Sequence, residues 1–246
     1  MRTPRVYLPD AQQAGSELPL PGEAARHLTK VLRLEPGHPV VAFNGHGGEF
    51  AGRLGGTAKQ PTVTLESFHT HERESPLATE LWAGLSKGEK FDWVVQKATE
   101  LGASVIRPVA TGRSVRRLDA AKAAKNRDRW MRIAASACEQ CGRNRLPAIA
   151  PVAALDAALA EQGGPGLVLD ETGAPPTHAA GDAPLRLLVG PEGGLTPEEI
   201  AAAEAAGFTR TALGPRTLRT ETAAVAALAW AQTVWGDFPV GTADTP

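Results

Sequence analysis

From Ala78 onward, short apolar segments alternate with segments whose apolar residues recur at helical spacing. Strands are predicted at Leu81–Leu85, Val105–Val109, Gly166–Leu169, Leu185–Val189 and Arg210–Leu213. Helices are predicted between and after them, at Phe91–Leu101, Ala120–Cys138, Ala154–Glu161, Thr196–Ala206 and Glu221–Trp235. Alternation of this kind is typical of a parallel sheet that is covered by helices on both faces. The predicted fold class of this part of the chain is therefore α/β.

Residues 1 to about 72 follow a different pattern, in which glycines and prolines separate short strand-like segments. The segments are Pro39–Asn44, Gly48–Leu54 and Thr62–Phe68, and their spacing predicts a small β-barrel or meander. One helix, Glu23–Leu34, is predicted to interrupt it, with apolar Ala24, Leu28, Val31 and Leu32 at helical spacing. The polar segment His69–Pro76 is typical of a linker. We therefore predict two domains, residues 1–72 and 73–246.

Two glycine-bearing loops in the second domain each follow a strand and lead into a helix. The first loop is Gly190–Gly194, and the helix after it opens with a capping box formed by Thr196 and Glu199. The second loop is Leu213–Thr222, which leads into an alanine-rich helix. Ligands of open α/β sheets bind at the carboxyl ends of strands, so we expect the two loops to close on one small molecule.

The first loop, with the sequence GPEGG, lacks the features of the common nucleotide-binding motifs. No Gly-Lys-Ser/Thr follows it, which excludes a P-loop, and the chain contains no GxGxxG dinucleotide fingerprint. Glycines allow the backbone to approach a ligand closely, but they also mark ordinary turns. A tight turn before a capped helix and a ligand-binding loop therefore stay open as alternatives.

The second loop carries two cations where a helix begins. Thr220 or Thr222 could cap that helix, and Glu221 would complement its dipole. Capping does not explain Arg216 and Arg219, because cations are unfavourable near a helix N-terminus. An anionic partner such as RNA phosphate would explain them, and so would a paired carboxylate such as Glu192.

Charge is distributed unevenly along the chain. Residues 107–145 contain eleven Lys or Arg and three acidic residues, a local net charge of +8, although the whole chain has a net charge of −1. A solvated helical face is one interpretation of such a stretch. Both of its ends, however, have the composition of loops, TGRSVRR and CGRNRLP, from which side chains can reach outward. This segregation favours a partner with a phosphate backbone, namely RNA.

Several other classes of function have no support in the sequence. Cys138 and Cys141 form an isolated CxxC without further ligands nearby, whereas a structural zinc requires four, so we predict reduced cysteines and no metal. No GxSxG hydrolase motif occurs. The longest apolar runs are too short to span a bilayer, and the first residues lack the apolar core of a secretory signal. A cytoplasmic protein without membrane contact is expected.

Four ordered motifs give the chain a resemblance to a known family. They are KGEKFDWVVQKATELGASVIRPV, ACEQCGRNRLP, LLVGPEGGLTPEE and LGPRTLRTETAAVAAL, and similarity also reaches the N-terminal MRTPRVYL, HLTKVLRLEPG and FNGHGGEF. Together they resemble the 16S ribosomal RNA (uridine-N3) methyltransferase family, which belongs to the SPOUT class of S-adenosylmethionine enzymes. Thr217 departs from the family pattern, since an aliphatic β-branched residue is usual there.

The resemblance implies a PUA-like RNA-binding β-barrel at residues 1–72 and a parallel-sheet SPOUT domain at residues 73–246. It further implies a trefoil knot at the two glycine-bearing loops, and a homodimer whose active site lies at the subunit interface. The cofactor implied is S-adenosylmethionine, with Leu213 and Leu218 flanking its adenine. The implied cofactor-binding residues are Leu169, Val189, Gly190, Glu192, Gly193, Gly194, Leu213, Gly214, Leu218, Arg219 and Thr220.

The implied substrate is a uridine of 16S ribosomal RNA, either free or within the small ribosomal subunit. Arg219 is the candidate for stabilising the uridine anion, and Glu221 is a candidate general base whose alternative role is helix capping. The expected phosphate contacts are Arg2, Arg5, Arg113, Arg116, Arg117, Arg143 and Arg145. Two other functions stay open: methylation of another RNA such as tRNA, and an inactive RNA-binding protein of ribosome assembly.

Overall fold

The structure is a computed structural model that describes residues 3–57, 59–114, 119–161, 163–176 and 183–238. Its contacts divide the chain into two compact units. The first unit contains Met1–Glu74 together with Ala135–Leu146, and the second contains Ser75–Ala134 together with Pro147–Pro246. No sequence pattern marks residues 135–146 as part of the first unit.

The first unit is built on a five-stranded sheet. Its strands are β1 (Arg5–Tyr7), β2 (Glu17–Pro19), β3 (Pro39–Phe43), β4 (Glu49–Gly56) and β5 (Pro61–His69), in the order β1-β3-β4-β5-β2. The β1–β3 pair is parallel and the other three pairs are antiparallel. Alternate residues of these strands face one apolar core, which confirms the predicted β-rich unit.

The predicted helix Glu23–Leu34 is wrong in its second half. Helix α1 covers Gly22–Arg26 and passes into a π-helical turn, His27–Val31, in which the Leu32 N–H donates to the His27 carbonyl at 2.9 Å. A π-turn adds a residue to the helical repeat, so side chains after it no longer follow the spacing that was predicted. Leu28 is buried in the core, but Val31 and Leu32 are exposed.

The second unit contains a seven-stranded sheet in which every pairing is parallel. Its strands are β6 (Thr79–Gly84), β7 (Val105–Ala110), β8 (Ala148–Ile149), β9 (Ala153–Ala154), β10 (Gly166–Ala174), β11 (Leu185–Val189) and β12 (Phe208–Thr211). The strand order is β12-β10-β11-β6-β7-β8, and β9 also pairs with β7. This arrangement confirms the α/β fold class.

Helices cover both faces of this sheet. They are α2 (Lys90–Glu100), α3 (Ala120–Cys141), α4 (Leu155–Leu159), α5 (Pro197–Ala205) and α6 (Thr220–Trp235). Alternation along each strand sends Leu81 and Leu187 to the face that carries α2 and α6, whereas Trp82 and Leu188 pack against α4 and α5. No helix in the described ranges is both long enough and apolar enough to cross a membrane.

Candidate active site

A pocket of about 520 Å³ lies at the carboxyl ends of β10, β11 and β12, which are neighbours in the sheet. Both glycine-bearing loops line it, so the expectation that they close on one site is confirmed. The eleven residues predicted to bind the cofactor all lie on its wall, as does Glu221: Leu169, Val189, Gly190, Glu192, Gly193, Gly194, Leu213, Gly214, Leu218, Arg219 and Thr220.

The first loop turns sharply as it leaves β11. Gly194 has a φ of +69° and donates its N–H to the Pro191 carbonyl at 2.8 Å, a conformation that favours glycine. The helix that follows has the predicted capping box, in which Thr196 accepts from the Glu199 N–H and Glu199 accepts from the Thr196 N–H. The loop is therefore fixed at both ends, by β11 and by the cap of α5.

Arg113 holds this loop from the side. Its guanidinium donates to the Gly193 carbonyl at 3.0 Å and to the Leu195 carbonyl at 3.2 Å. Arg113, which was predicted as a phosphate contact, thus also lies on the pocket wall. The geometry gives it a positioning role for the first loop, beside the predicted phosphate contact.

Glu192 faces lysines and not the arginines of the second loop. Its carboxylate accepts from the Lys87 N–H at 3.1 Å and forms an ion pair with Lys90 at 3.3 Å. Burial raises the pKa of Glu192, but hydrogen bonds from backbone N–H groups and from Lys90 lower it more, so the net pKa is below its usual range. Pairing with Glu192 is therefore wrong as an explanation of Arg216 and Arg219.

Arg216 and Arg219 are both exposed on the pocket wall, and neither has an ion pair within the described ranges. The loop that carries them is tied to β10 by a hydrogen bond of 2.9 Å from the Thr217 hydroxyl to Glu171. Arg219 is the N-cap residue of α6, and its side chain makes no capping bond. Both cations therefore lie near the start of a helix without a compensating negative charge, which is unfavourable. Of the two explanations offered for them, the anionic partner is the one that agrees with the structure.

Glu221 has a carboxylate oxygen that is buried and finds no partner among the described residues. The residue is half-buried and lies in the first turn of α6, where the helix dipole favours a negative charge. No side-chain capping bond forms at this helix start, so the capping alternative for Thr220 is wrong. A buried acceptor without a donor is costly, which points to a partner that enters the pocket.

Sequence reasoning singled out more than half of the pocket wall, Arg216 included, and missed the rest. The residues missed are Lys90, Asp170, Glu171, Pro191, Leu195, Thr211, Ala212, Thr217 and Ala223. Most of them follow directly on a predicted residue, at the end of β10 or within one of the two loops. Asp170 and Glu171 could have been found, because β10 is predicted to end in the same sheet at the same edge.

Gly84, the last residue of β6, lies directly beneath the first loop. A Cβ atom there would come within 2.4 Å of the Pro191 nitrogen and 2.8 Å of the Gly190 carbonyl carbon, both of which are backbone atoms. We expect Gly84→Ala to displace the loop, to weaken ligand binding in the pocket at least tenfold, and to cost about 1–3 kcal/mol of stability. Calorimetric titration of S-adenosylmethionine and urea unfolding measure the two effects.

Gly112→Ala is the matched control, since a Cβ atom there would meet only side-chain atoms at 3.6 Å. It is expected to bind with unchanged affinity. Equal affinity of Gly84→Ala and the native protein would show that the first loop takes no part in binding.

Two of the predicted phosphate contacts need correction. Arg5 donates to Glu49 at 2.6 Å and also to Asn144, and only 7% of its side chain is exposed. Arg143 is likewise 5% exposed and donates to Glu74 at 2.6 Å. Guanidinium groups that are buried against carboxylates hold the first unit together and do not reach a phosphate. The prediction that Arg5 and Arg143 contact RNA phosphate is therefore wrong.

Arg145 is a predicted contact whose side chain stays largely exposed. It is 56% exposed, and it forms a long ion pair of 3.6 Å with Glu72. Arg2, Arg116 and Arg117 lie outside the described residues. Within the described ranges no cluster of metal-ligating side chains occurs, and Cys138 and Cys141 form no disulfide.

Comparison with known proteins agrees with this geometry. The RNA methyltransferase domain family matches residues 73–232, and the RNA methyltransferase PUA domain family matches residues 20–66. Ribosomal RNA small subunit methyltransferase E of Bacillus subtilis is 32% identical over 240 residues, which is 91% of this chain and 94% of that protein. The protein of the same name from Mycobacterium bovis is 32% identical over 237 residues, covering 90% of this chain and 88% of the relative.

A solved structure shows the same relationship in three dimensions. Ribosomal RNA small subunit methyltransferase E from Neisseria gonorrhoeae, crystallised with S-adenosylmethionine, is 36% identical and has a TM-score of 0.87. The similarity covers 97% of this chain and 100% of that one.

Proposed function

Because the chain belongs to the RNA methyltransferase family that includes ribosomal RNA small subunit methyltransferase E, we propose that it methylates a uridine of 16S ribosomal RNA at N3. The methyl donor is S-adenosylmethionine. The observation that carries the proposal is that both glycine-bearing loops line one pocket, with Arg219 and the unpartnered oxygen of Glu221 on its wall.

The pocket fits S-adenosylmethionine in size and in lining. Its volume of about 520 Å³ lies within the range of small-molecule sites, about 300–1,000 Å³. The glycines of the first loop have no side chains that would block a ligand from the backbone N–H and C=O groups. Leu169, Leu213 and Leu218 are half-buried and provide apolar contact for the flat adenine base. The residues that we propose to hold the cofactor are the eleven named above.

The chain's own residues then have three tasks. S-adenosylmethionine supplies an activated methyl group when it is bound. The two loops orient that group, and alignment of reacting atoms contributes much of the rate acceleration. Glu221 takes the imide proton from N3, and Arg219 stabilises the negative charge that develops on the uracil ring as the N3–methyl bond forms and the sulfur–methyl bond breaks. The uridine must be unpaired or flipped out, because N3 lies on the Watson–Crick edge.

Titration with S-adenosylmethionine separates an active enzyme from an inactive RNA-binding protein of ribosome assembly. The proposal predicts a saturable heat of binding with one site per chain. Absence of binding would leave only the RNA-binding role. Labelled cofactor then separates the substrates: incorporation into 16S ribosomal RNA or small subunits is expected, and incorporation into tRNA alone would contradict the proposal.

Four further features stay predictions that the family resemblance supports. They are the trefoil knot, the homodimer, the cytoplasmic location, and the division into domains at residues 72 and 73. Exposed Val234 and Phe238, at the end of α6 and just beyond it, are apolar side chains that a subunit interface could cover.

The two arginines near the end of the basic stretch provide a matched test of RNA binding. Arg145→Gln is expected to reduce the slope of log affinity against log salt by about 0.7, the value for one single-stranded phosphate contact. Arg143→Gln is expected to leave the slope unchanged and to lower the free energy of unfolding by about 3 kcal/mol, because it leaves the Glu74 carboxylate without its partner. Binding isotherms at several salt concentrations and urea unfolding provide both values. A slope that stays the same in Arg145→Gln would exclude the contact.

A further inference from the structure

Two large apolar side chains are exposed side by side at the end of the π-helical turn in the first unit. Val31 is 60% exposed and Leu32 is 42% exposed, whereas Leu28 of the same turn is buried in the core. A single exposed apolar residue is ordinary in any protein, but adjacent ones on an ordered turn form a patch.

The backbone holds this patch in an unusual conformation. The π-helical turn places Val31 and Leu32 outward, and Arg33 follows with a φ of +55°, a left-handed value that non-glycine residues rarely adopt. The Leu34 N–H donates to the Leu28 carbonyl at 3.0 Å, which closes the segment. Turns of this kind are frequent at functional sites.

Three cations lie close to the patch in sequence. Arg26, Lys30 and Arg33 are exposed, and none forms a salt bridge within the described part of the chain. By contrast, other arginines of the same unit, such as Arg5 and Arg53, face carboxylates. The nearest acidic residues in sequence, Glu23 and Glu35, lie outside the span of the three cations.

We propose that the Arg26–Arg33 surface, formed by Arg26, Lys30, Val31, Leu32 and Arg33, binds a single-stranded segment of the RNA substrate. The three cations contact phosphates, and Val31 with Leu32 packs against an unstacked base. Single-stranded RNA presents both chemistries at once, because its bases are available for apolar contact and its phosphates lie within reach on either side. The inference rests on the proposed function, since it places a second RNA contact outside the pocket.

The charged part of the surface is tested by Arg26→Gln/Lys30→Gln. Affinity for a labelled, unstructured oligouridine is expected to fall about tenfold at low salt, and the salt slope is expected to decrease by about 1.4, which corresponds to two single-stranded phosphates. Arg53→Gln/Lys59→Gln is the matched control, because it removes the same charge from exposed positions of the same unit. The control is expected to retain nearly all of the affinity.

The apolar part is tested by Val31→Thr/Leu32→Gln. Affinity for the oligouridine is expected to fall several-fold with an unchanged salt slope, because apolar contact with a base releases no counterions. Affinity for a fully paired RNA duplex is expected to stay the same, since its bases are not accessible. Both side chains are exposed, so the variant is expected to unfold at the same urea concentration as the native protein.

Two results would overturn the inference. One is unchanged oligouridine affinity in both double variants. The other is a change in the sedimentation coefficient of Val31→Thr/Leu32→Gln with RNA affinity unchanged, which would assign the surface to a second copy of the chain. S-adenosylmethionine titration and methylation of 16S ribosomal RNA by the native protein are measured in parallel. If the native protein neither binds S-adenosylmethionine nor methylates 16S ribosomal RNA, the proposed function is wrong, irrespective of the RNA affinities of the variants.

Discussion

Glu221→Gln is expected to lower kcat for RNA methylation by between about 10²- and 10⁴-fold, the range for loss of a proton-transfer group. The physical reason is that one carboxylate oxygen of Glu221 is buried at the pocket wall without a partner in the described chain, so it is free to accept a proton from the uridine. An amide of the same size cannot take that proton. Single-turnover kinetics with saturating S-adenosylmethionine measure the effect.

Glu198→Gln is the matched control, because Glu198 occupies the same position in the first turn of α5 as Glu221 does in α6. Both substitutions remove a favourable negative charge from the same position of a helix start, so their effect on the helix itself is matched. Only Glu221→Gln is expected to lose activity. A weaker affinity for S-adenosylmethionine with an unchanged kcat would instead assign Glu221 to holding the cofactor and would contradict the proposed proton transfer.

Arg219→Gln is expected to lower kcat by about 10²–10³-fold, which is typical for loss of one group that stabilises a developing anion. The same substitution is expected to leave the stability unchanged or slightly higher. Arg219 has no ion pair in the described chain, and its charge lies at the start of α6, where a cation is unfavourable. A residue that impairs the fold but serves the reaction is common at active sites.

Arg210→Gln provides the comparison for Arg219→Gln. Arg210 lies in the same unit but outside the pocket, and pairs with Glu204 at 2.9 Å. Its loss is expected to leave kcat within twofold of the native value. If Arg219→Gln retained full activity at saturating RNA, charge stabilisation by Arg219 would be excluded, and a role in RNA affinity alone would remain.

The second unit was largely predictable because its longer elements have strong local signals. The strand Leu185–Val189 and the capping box of α5 follow directly from their residues, and strands that end at one edge of a sheet bring their loops together. The two-residue strands β8 and β9 were missed, because an element that short leaves no periodicity.

The first unit was less predictable because its distinctive features depend on distant contacts. Arg5 meets Glu49 across 44 residues, and Arg143 meets Glu74 across 69. An arginine in a basic stretch has the same sequence signature whether it is exposed or buried against such a partner. The π-helical turn has no sequence signature either, so Val31 and Leu32 were placed at helical spacing with buried Leu28.

Nucleoside analysis of 16S ribosomal RNA after reaction with this protein tests the central claim most directly. Purified protein is incubated with S-adenosylmethionine and either free 16S ribosomal RNA or small subunits, and the RNA is digested and analysed by mass spectrometry. We predict 3-methyluridine as the product, and one new reverse-transcription stop at a uridine, because a methyl group at N3 blocks base pairing. A methyl group on any other nucleoside, or on tRNA alone, would contradict the claim.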